Sequence, residues 1–518
     1  TSTNGVSSFA GSINFTSPNG FNKSGNVRYT IGAFNSLKLS STYSTGLSDK
    51  KLALYTNASV YQTGGYRYGS DGKGKSLFLS GGYFGTNNKL KFTGFIGNSQ
   101  NGMAWQPVSE TDINNNPRTN YNKDDAWDDF TQSFLQLEYG KRINSTTNLN
   151  TSIFYNKLDG GYDYALTGTR NLFLQSNFYG VVTNLNYKGE STKIDFGVSA
   201  NTYNRFHYYD SMLTDPLNNN KGTKQELSSY LKVSQQFENL VLTLDLQKRY
   251  VRFDYDGNVQ LNTINWNFFN PKTGFVYNLT NKSNIYFTIG QSFREPTRTN
   301  MFMFSDNDWL IDGLFNNVKP EKVVDYEFGV KHTSNKLVLQ ANLFYMNFSN
   351  EILPSGGTAP NSVGNSVSSP NSFRKGVEID FKYNITKYLS FDYNQSLTYT
   401  KFENVTIKDI NNSDLYLSEG QAILTPRNIF NIGLTYNKKG FLFGVTSKSQ
   451  SSSYLDLSNQ NKIDSFTILN SVIGYENITS EKYYTNGSMI YINFAPTTER
   501  HLFTNPLINS FLTLRYKF

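Results

Sequence analysis

The sequence predicts an all-β fold: a transmembrane antiparallel β-barrel of about 22 strands, with short periplasmic turns and long extracellular loops. Three observations predict it. Apolar and polar residues alternate with period two along almost the whole chain, and the helical period is nearly missing. Hydrophobic residues make up only 37% of the 518, yet aromatics reach 15%, with 36 Tyr and 40 Phe. That is too few aliphatics for a large dry core and too many rings for a disordered chain. Finally, tight turns alternate with long loops rich in Asn, Gly and Ser. No run of about 18 apolar residues occurs, so no transmembrane helix is expected.

The elements follow in chain order. "NVRYTIGAF" (residues 26–34) reads as strand one. "TKIDFGVSANTYNRF" (192–206), "LVLTLDLQKRYVRFDY" (240–255) and "NIYFTIGQSF" (284–293) each alternate cleanly. Val324, Tyr326, Phe328 and Val330 oppose Asp325, Glu327 and Lys331, and "LVLQANLFYMNF" follows a turn at Ser334-Asn335-Lys336. The clearest hairpin runs from Val377 to Thr400. Val377, Ile379, Phe381, Tyr383 and Ile385 alternate with Glu378, Asp380, Lys382 and Asn384; a turn at Thr386-Lys387 leads into a second alternating run from Leu389 to Tyr399. Each strand has roughly ten residues, the length that crosses a bilayer at a tilt. Phe430, Ile432, Leu434 and Tyr436 precede the turn Asn437-Lys438-Lys439-Gly440. In the terminal "SFLTLRYKF", Leu512, Leu514, Tyr516 and Phe518 take one parity and Thr513, Arg515 and Lys517 the other. Tight connections fall at Asn88, Asn144-Ser145, Gly189-Glu190-Ser191 and Asn281-Lys282, and long ones at about 97–129, 160–176, 206–224, 294–320, 350–373 and 403–427.

Divided among about 22 strands, the chain leaves about 23 residues for each strand with its connection, a size class whose lumen needs a plug. A soluble sandwich has shorter strands, and a propeller would show a blade repeat that is not found. The chain has no Cys, hence no disulfide frame. The net charge of +8 comes from singly spread Lys and Arg. It does not read as a nucleic-acid patch, but it suits an anionic ligand or lipopolysaccharide phosphates.

Several passages resemble the TonB-dependent receptors of Gram-negative outer membranes. "GVSSFAGSINFTS" (Gly5–Ser17) looks like the end of that family's plug domain. "SFREPTRTNMF" (Ser292–Phe302) with "VKPEKVVDYEFGVK" (Val318–Lys331), "SFRKGVEIDFKY" (Ser372–Tyr383), "LTPRNIFNIGLTY" (Leu424–Tyr436) and "YYTNG" (Tyr483–Gly487) resemble its strand entries and last loop, in order. The resemblance is greatest to Bacteroidetes-type receptors for iron chelates. It implies uptake of a scarce nutrient bound by the extracellular loops and driven by the TonB complex. Ferric siderophores are the first expectation, with cobalamin, haem and glycans as alternatives. Iron would enter only as part of the transported chelate, and no cofactor is expected. Residues 1–20 are expected to be the end of the plug and its link, and 21–518 the barrel. The rest of the plug and the TonB box are not in the chain, which therefore reads as part of a longer precursor. The terminal Phe518 is implied to be the signal read by the barrel-assembly machinery. Outer-membrane lipid and lipopolysaccharide would surround the barrel, and a surface lipoprotein is a further partner to consider. Between "SVIGYE" (Ser471–Glu476) and the "NITSEKYYTNG" loop the family's full strand is missing. Either "SMIYINF" (488–494) serves as the penultimate strand or residues are absent there.

No catalytic constellation appears, so an enzyme is not expected. His207, His332 and His501 are far apart, without metal-ligand spacing. The ligand candidates are aromatic and basic residues of the long loops: Trp105, Arg118 and Tyr121; Tyr162, Tyr164 and Arg170; Arg205, His207, Tyr208 and Tyr209; and Arg294, Arg298 and Trp309. Guanidinium groups suit carboxylate or catecholate oxygens, and rings suit a flat chelate. Taken singly, each reads more plainly as an interfacial girdle residue. The "RFHYY" cluster and the pair Arg294 and Arg298 are the stronger candidates. "DDAWDD" (Asp124–Asp129) has the carboxylates for a divalent cation but reads first as a solvated acidic loop. A passive channel and a non-transporting barrel are the competing functions.

Overall fold

In the computed structural model the described residues are 15–122, 126–163, 170–211, 220–257, 261–301, 319–354, 366–408, 413–475, 501–502 and 511–517. They build one antiparallel sheet of 22 strands. One of these, Asp414–Gly420, pairs only with the far half of Leu389–Lys408. The other strands follow each other around a wall, each bonded to the next in sequence up to Phe466–Tyr475. The last strand, Phe511–Lys517, returns to the first, Ser24–Gly32, with Asn26 opposite Lys517 and Gly32 opposite Phe511. The register puts Leu512, Leu514 and Tyr516 level with Ile31, Tyr29 and Val27, and those three residues of the first strand are exposed.

The wall inverts the burial of a water-soluble protein. On Trp127–Arg142 the exposed large hydrophobic residues are Leu135, Leu137 and Tyr139; on Leu240–Asp256 they are Leu242, Leu244 and Tyr250, with Lys248 and Arg252 exposed on the same parity toward the loop end. The opposite parity of the second strand carries Asp245, Gln247 and Arg249, all buried. A strand shows alternate residues to alternate faces, so greasy side chains meet lipid and charged ones line the lumen. Cross-strand register then builds a row of opposite charges along the inner wall. Asp195 lies opposite Lys232, Lys232 opposite Asp245, and Asp245 opposite Lys272. Lys272 faces Gly290, and Gly290 faces Asp325. A Cβ on Gly290 would sit 3.2 Å from the Lys272 side chain, so the glycine lets that lysine lie across toward Asp325.

The strands are longer than the sequence suggests. Ser366–Asn384 has 19 residues and Leu389–Lys408 has 20, where roughly ten suffice to cross a bilayer. Much of the expected loops 160–176 and 206–224 is strand: Arg170–Lys188 pairs with Thr192–Ser211 up to Arg170 opposite Ser211. Alternation continues above the bilayer, and ladder bonds there satisfy backbone groups as well as water would. On this loop side Leu353, Phe402, Val405, Ile407, Ala422, Ile423 and Leu457 form a small apolar core. It sits where Asp414–Gly420 and the turn around Asp456 fold over the strands. Asp456 accepts from the Gln460 and Asn461 backbone N–H groups at 3.2 and 2.9 Å, which closes that turn.

Among the described residues the sheet does not close. Phe466–Tyr475 and Phe511–Lys517 both descend from the loop side to the turn side. One ascending strand between them is therefore required, as the sequence anticipates. "SMIYINF" (488–494) and Phe518 lie outside the described residues.

Candidate functional site: the loop-side mouth of the lumen

The inner wall gathers its buried charges near the loop ends of the strands between Thr192 and Lys408. Arg249, 1% exposed, lies opposite Ser228, and its side chain reaches Glu226 on that neighbouring strand. It donates through Nε and Nη2 to the two Glu226 oxygens at 3.0 and 3.2 Å. Nη2 also reaches Glu295 Oε2 at 3.1 Å, and the guanidinium lies 5.5 Å from the Phe268 ring centre. Lys224, two residues before Glu226 and on its parity, donates to Glu295 as well. Glu295 begins the connection after Ser283–Arg294. Burial alone pushes its carboxyl up, but the charges and hydrogen bonds of Lys224 and Arg249 outweigh that and hold it below the usual carboxylate range. The root of this loop is thus pinned to the lumen wall.

The next residues are pinned too. Arg298, in the short helix Arg298–Met301, donates to Asn220 Oδ1 and to the Arg205 carbonyl at 3.5 Å. Its guanidinium stands 5.4 Å from the Tyr255 ring. Buried His207 meets the same Asn220 oxygen through Nδ1 at 3.2 Å. Met301 packs on Phe253, with Tyr255, Leu261, Ile264 and Trp266 around them. Alongside lies a second ionic group. Arg294 donates to Glu321, which also accepts from Ile352 N at 3.3 Å. Glu351 accepts from Arg374 and from Ser372. Arg374 stands 5.1 Å from the Phe348 ring.

The sequence candidates divide accordingly. Arg205, His207, Arg294 and Arg298 come together at this mouth. Tyr208 takes the outward parity of Phe196 and Val198 and stacks on Phe173 at 5.0 Å. The backbone of Tyr209 pairs with Leu172, and Arg170 opens its strand. Tyr162 lies 6.3 Å from Phe130, two strands away from this group. Trp105, Arg118 and Tyr121 belong to a separate loop lobe. Arg67, buried there, donates to the carbonyls of Thr119, Ala104 and Gln106 at 2.9, 2.8 and 3.0 Å, and burial lowers its pKa. Arg118 donates to Tyr66 O at 2.6 Å and lies 4.6 Å from the Tyr68 ring. Tyr121 donates to Asp112 and accepts from Ser109 N at 3.1 Å. Tyr164 and Trp309 lie outside the described residues. Sequence reasoning did not single out Glu226, Arg249, Glu295, Glu321, Glu351 and Arg374. Inward parity marks Glu226 and Arg249, and "REPTR" places Glu295 between two chosen arginines, but nothing local says which charges meet.

This architecture is shared with known transporters. Residues 73–485 match the family model described as TonB dependent receptor-like, beta-barrel. Among curated proteins none matches the chain by sequence. Solved structures do. The unliganded ferric citrate transporter FecA superposes with a TM-score of 0.74 at 15% identity, over 96% of this chain and 78% of that one. The ferric yersiniabactin uptake receptor FyuA from Yersinia pestis gives 0.73 at 14%, over 97% and 81%. The copper transporter OprC gives 0.73 at 13%, over 96% and 80%. At such identities the likeness shows the fold. The family match, spanning most of the chain, shows more: this chain belongs to the TonB-dependent receptor-like β-barrels, transporters of the outer membrane rather than enzymes.

Proposed function

We propose that the protein takes up a metal chelate, in the first place a ferric siderophore, bound at the loop-side mouth. The observation that carries this reading is the set of guanidinium groups held beside rings on the lumen wall: Arg249 by Phe268, Arg298 by Tyr255 and Arg374 by Phe348. Arg249 is spent on Glu226, Glu295 and the Phe293 carbonyl and holds the wall, while Arg298 and Arg374, each oriented by a fixed partner, bring positive charge and a ring face to the lumen, which suits an anionic chelate. The names of FecA and FyuA, both carriers of iron chelates, favour iron; OprC keeps copper as the second cargo to test.

Residues 1–20 are, on this reading, the end of a plug domain and its link. The described part supports it. Inward-facing Lys91 donates to Ser17 O at 3.1 Å and Asn19 Oδ1 at 2.7 Å, so the link runs along the inner wall. At Gly20, with φ of 76°, a Cβ would stand 2.5 Å from Leu54 O, so only glycine lets the link turn there onto strand one. A plug so attached would take the pull of TonB.

Growth of a deletion strain under iron restriction tests the cargo. With ferric citrate, catecholate and hydroxamate siderophores, haem, cobalamin and copper supplied singly, the strain should fail on one ferric chelate and be rescued by the intact gene. Wild-type growth on every ferric chelate, with a defect only for copper or cobalamin, overturns the iron reading.

A further inference from the structure

On the outer face of the wall, one sector of the lipid-facing belt ends at the loop side on cations held by rings. Register sets the face. Phe328, Leu343, Val377 and Leu397 lie level across four strands, and Phe328, Leu343 and Leu397 are exposed. Two residues nearer the loops, on the same parity, Tyr326, Tyr345, Lys375 and Tyr399 are level in turn. The three tyrosines and Lys375 are exposed. Lys375 stands nine positions from Asn384, the turn-side end of its strand, close to the length that crosses a bilayer. Phe373, two residues further on, lies 6.0 Å from the Tyr345 ring and 5.9 Å from that of Tyr399. The Lys375 ammonium is 5.6 Å from the centres of both Phe373 and Tyr399. Arg427, exposed at the head of Asn428–Lys438, sets its guanidinium 5.4 Å from the same Tyr399 ring. One ring thus gathers an ammonium and a guanidinium. Lys401, above them, is spent on Glu403 and Glu419 at 3.2 and 2.7 Å, whereas among the described residues no carboxylate lies within ion-pair distance of Lys375 or Arg427. Arg427 donates through Nε to neutral Gln421 at 3.2 Å. Below these cations, polar side chains descend into the belt. Asn428 is level with Leu397, Gln395 with Phe430, and Tyr393 with exposed Ile432. Gln395 donates to Asn428 Oδ1 at 3.1 Å and accepts from the Tyr393 hydroxyl at 2.7 Å. Amides facing bare hydrocarbon are costly, so this chain of them calls for a lipid with polar groups at that depth.

We propose that this patch binds a phosphorylated glycolipid of the outer leaflet, of the lipid A class: amino sugars carrying phosphate and hydroxylated acyl chains. Lys375 and Arg427 meet a phosphate, with the Arg427 fork suited to two of its oxygens. Tyr345 and Tyr399 offer ring faces at the level of the sugars. Asn428 and Gln395 meet the amide N–H and hydroxyl groups through which such a lipid carries its chains, donors that a glycerophospholipid lacks there. The position agrees, because the outer membrane keeps this lipid in the leaflet on the side of the long connections.

Native mass spectrometry of the purified protein in detergent tests the site, titrating bis-phosphorylated lipid A, its dephosphorylated form, phosphatidylglycerol and inorganic phosphate. Lipid A should bind in preference to the other three. Lys375→Gln/Arg427→Gln should weaken its binding at least about ten-fold and remove most of the advantage of the phosphorylated form. Lys375→Arg/Arg427→Lys should keep both. A control in another sector is Lys73→Gln/Lys75→Gln, where Lys75 is level with exposed Val60 on the same outer face; it should bind lipid A as the wild type does. The proposal is overturned if Lys375→Gln/Arg427→Gln binds lipid A unchanged, or if the control loses as much, which would make the cations a diffuse belt. Phosphatidylglycerol binding as tightly as lipid A would overturn the glycolipid assignment. Displacement of lipid A by inorganic phosphate at equal concentration would make this a free-anion site and overturn it too.

Discussion

Arg249 is the residue on which the mouth depends most. It is 1% exposed and its guanidinium is shared by Glu226 and Glu295. Removing it leaves buried Glu226 without its cation and Glu295 with Lys224 alone, a loss of about 3–5 kcal/mol. Arg249→Met should therefore lower the urea midpoint of the refolded barrel strongly, whereas Lys401→Gln, in an exposed ion pair with Glu419, should leave it nearly unchanged. Glu295 adds a pH dependence with a definite sign. Its folded pKa lies below the ordinary value of 4.5, so its contribution is fully present above that value. It is lost as pH falls through the depressed value. The stability gap between wild type and Glu295→Gln should be constant at neutral pH and close in more acidic solution. A gap that widens on acidification would contradict the pinning of the loop root by Lys224 and Arg249.

At the scale of elements, period-two alternation makes each strand legible but leaves its ends and partners open. The hairpin read from Val377 to Thr400 is present, with Val377 opposite Leu397 and Tyr383 opposite Phe391. Its strands run on to Ser366 and Lys408, because ladder bonding continues past the bilayer once neighbouring chains are in register. The seam between first and last strands can be tested directly. Thr30 faces Thr513, so Thr30→Cys with Thr513→Cys should oxidise readily to a disulfide. Thr30→Cys with Leu512→Cys should not, since a one-residue shift sends the second side chain to the other face. Gel mobility with and without reductant reads both. Equal cross-linking of the two pairs would show a register other than the one described.

On the scale of the whole molecule, wall and mouth imply a transporter that must be driven. The TonB-dependent family match and the link held on the inner wall by Lys91 argue for an energised receptor over a passive channel. Uptake of the bound chelate by whole cells should stop when the proton-motive force is collapsed, while surface binding persists. Uptake that continues unchanged after collapse would favour the channel. Much of this was legible without coordinates. Alternation separates lipid face from lumen face, composition excludes a dry core, and connection lengths separate one rim from the other. These are local properties of a chain whose side-chain direction reverses at every residue. Which charges meet was not legible. Glu226 and Arg249 lie 23 positions apart, and Arg249 and Glu295 46. Their meeting depends on strand register and on how one loop folds inward. Alternation fixes only a side chain's face; its partner is set by hydrogen bonding between strands, which only the assembled sheet determines.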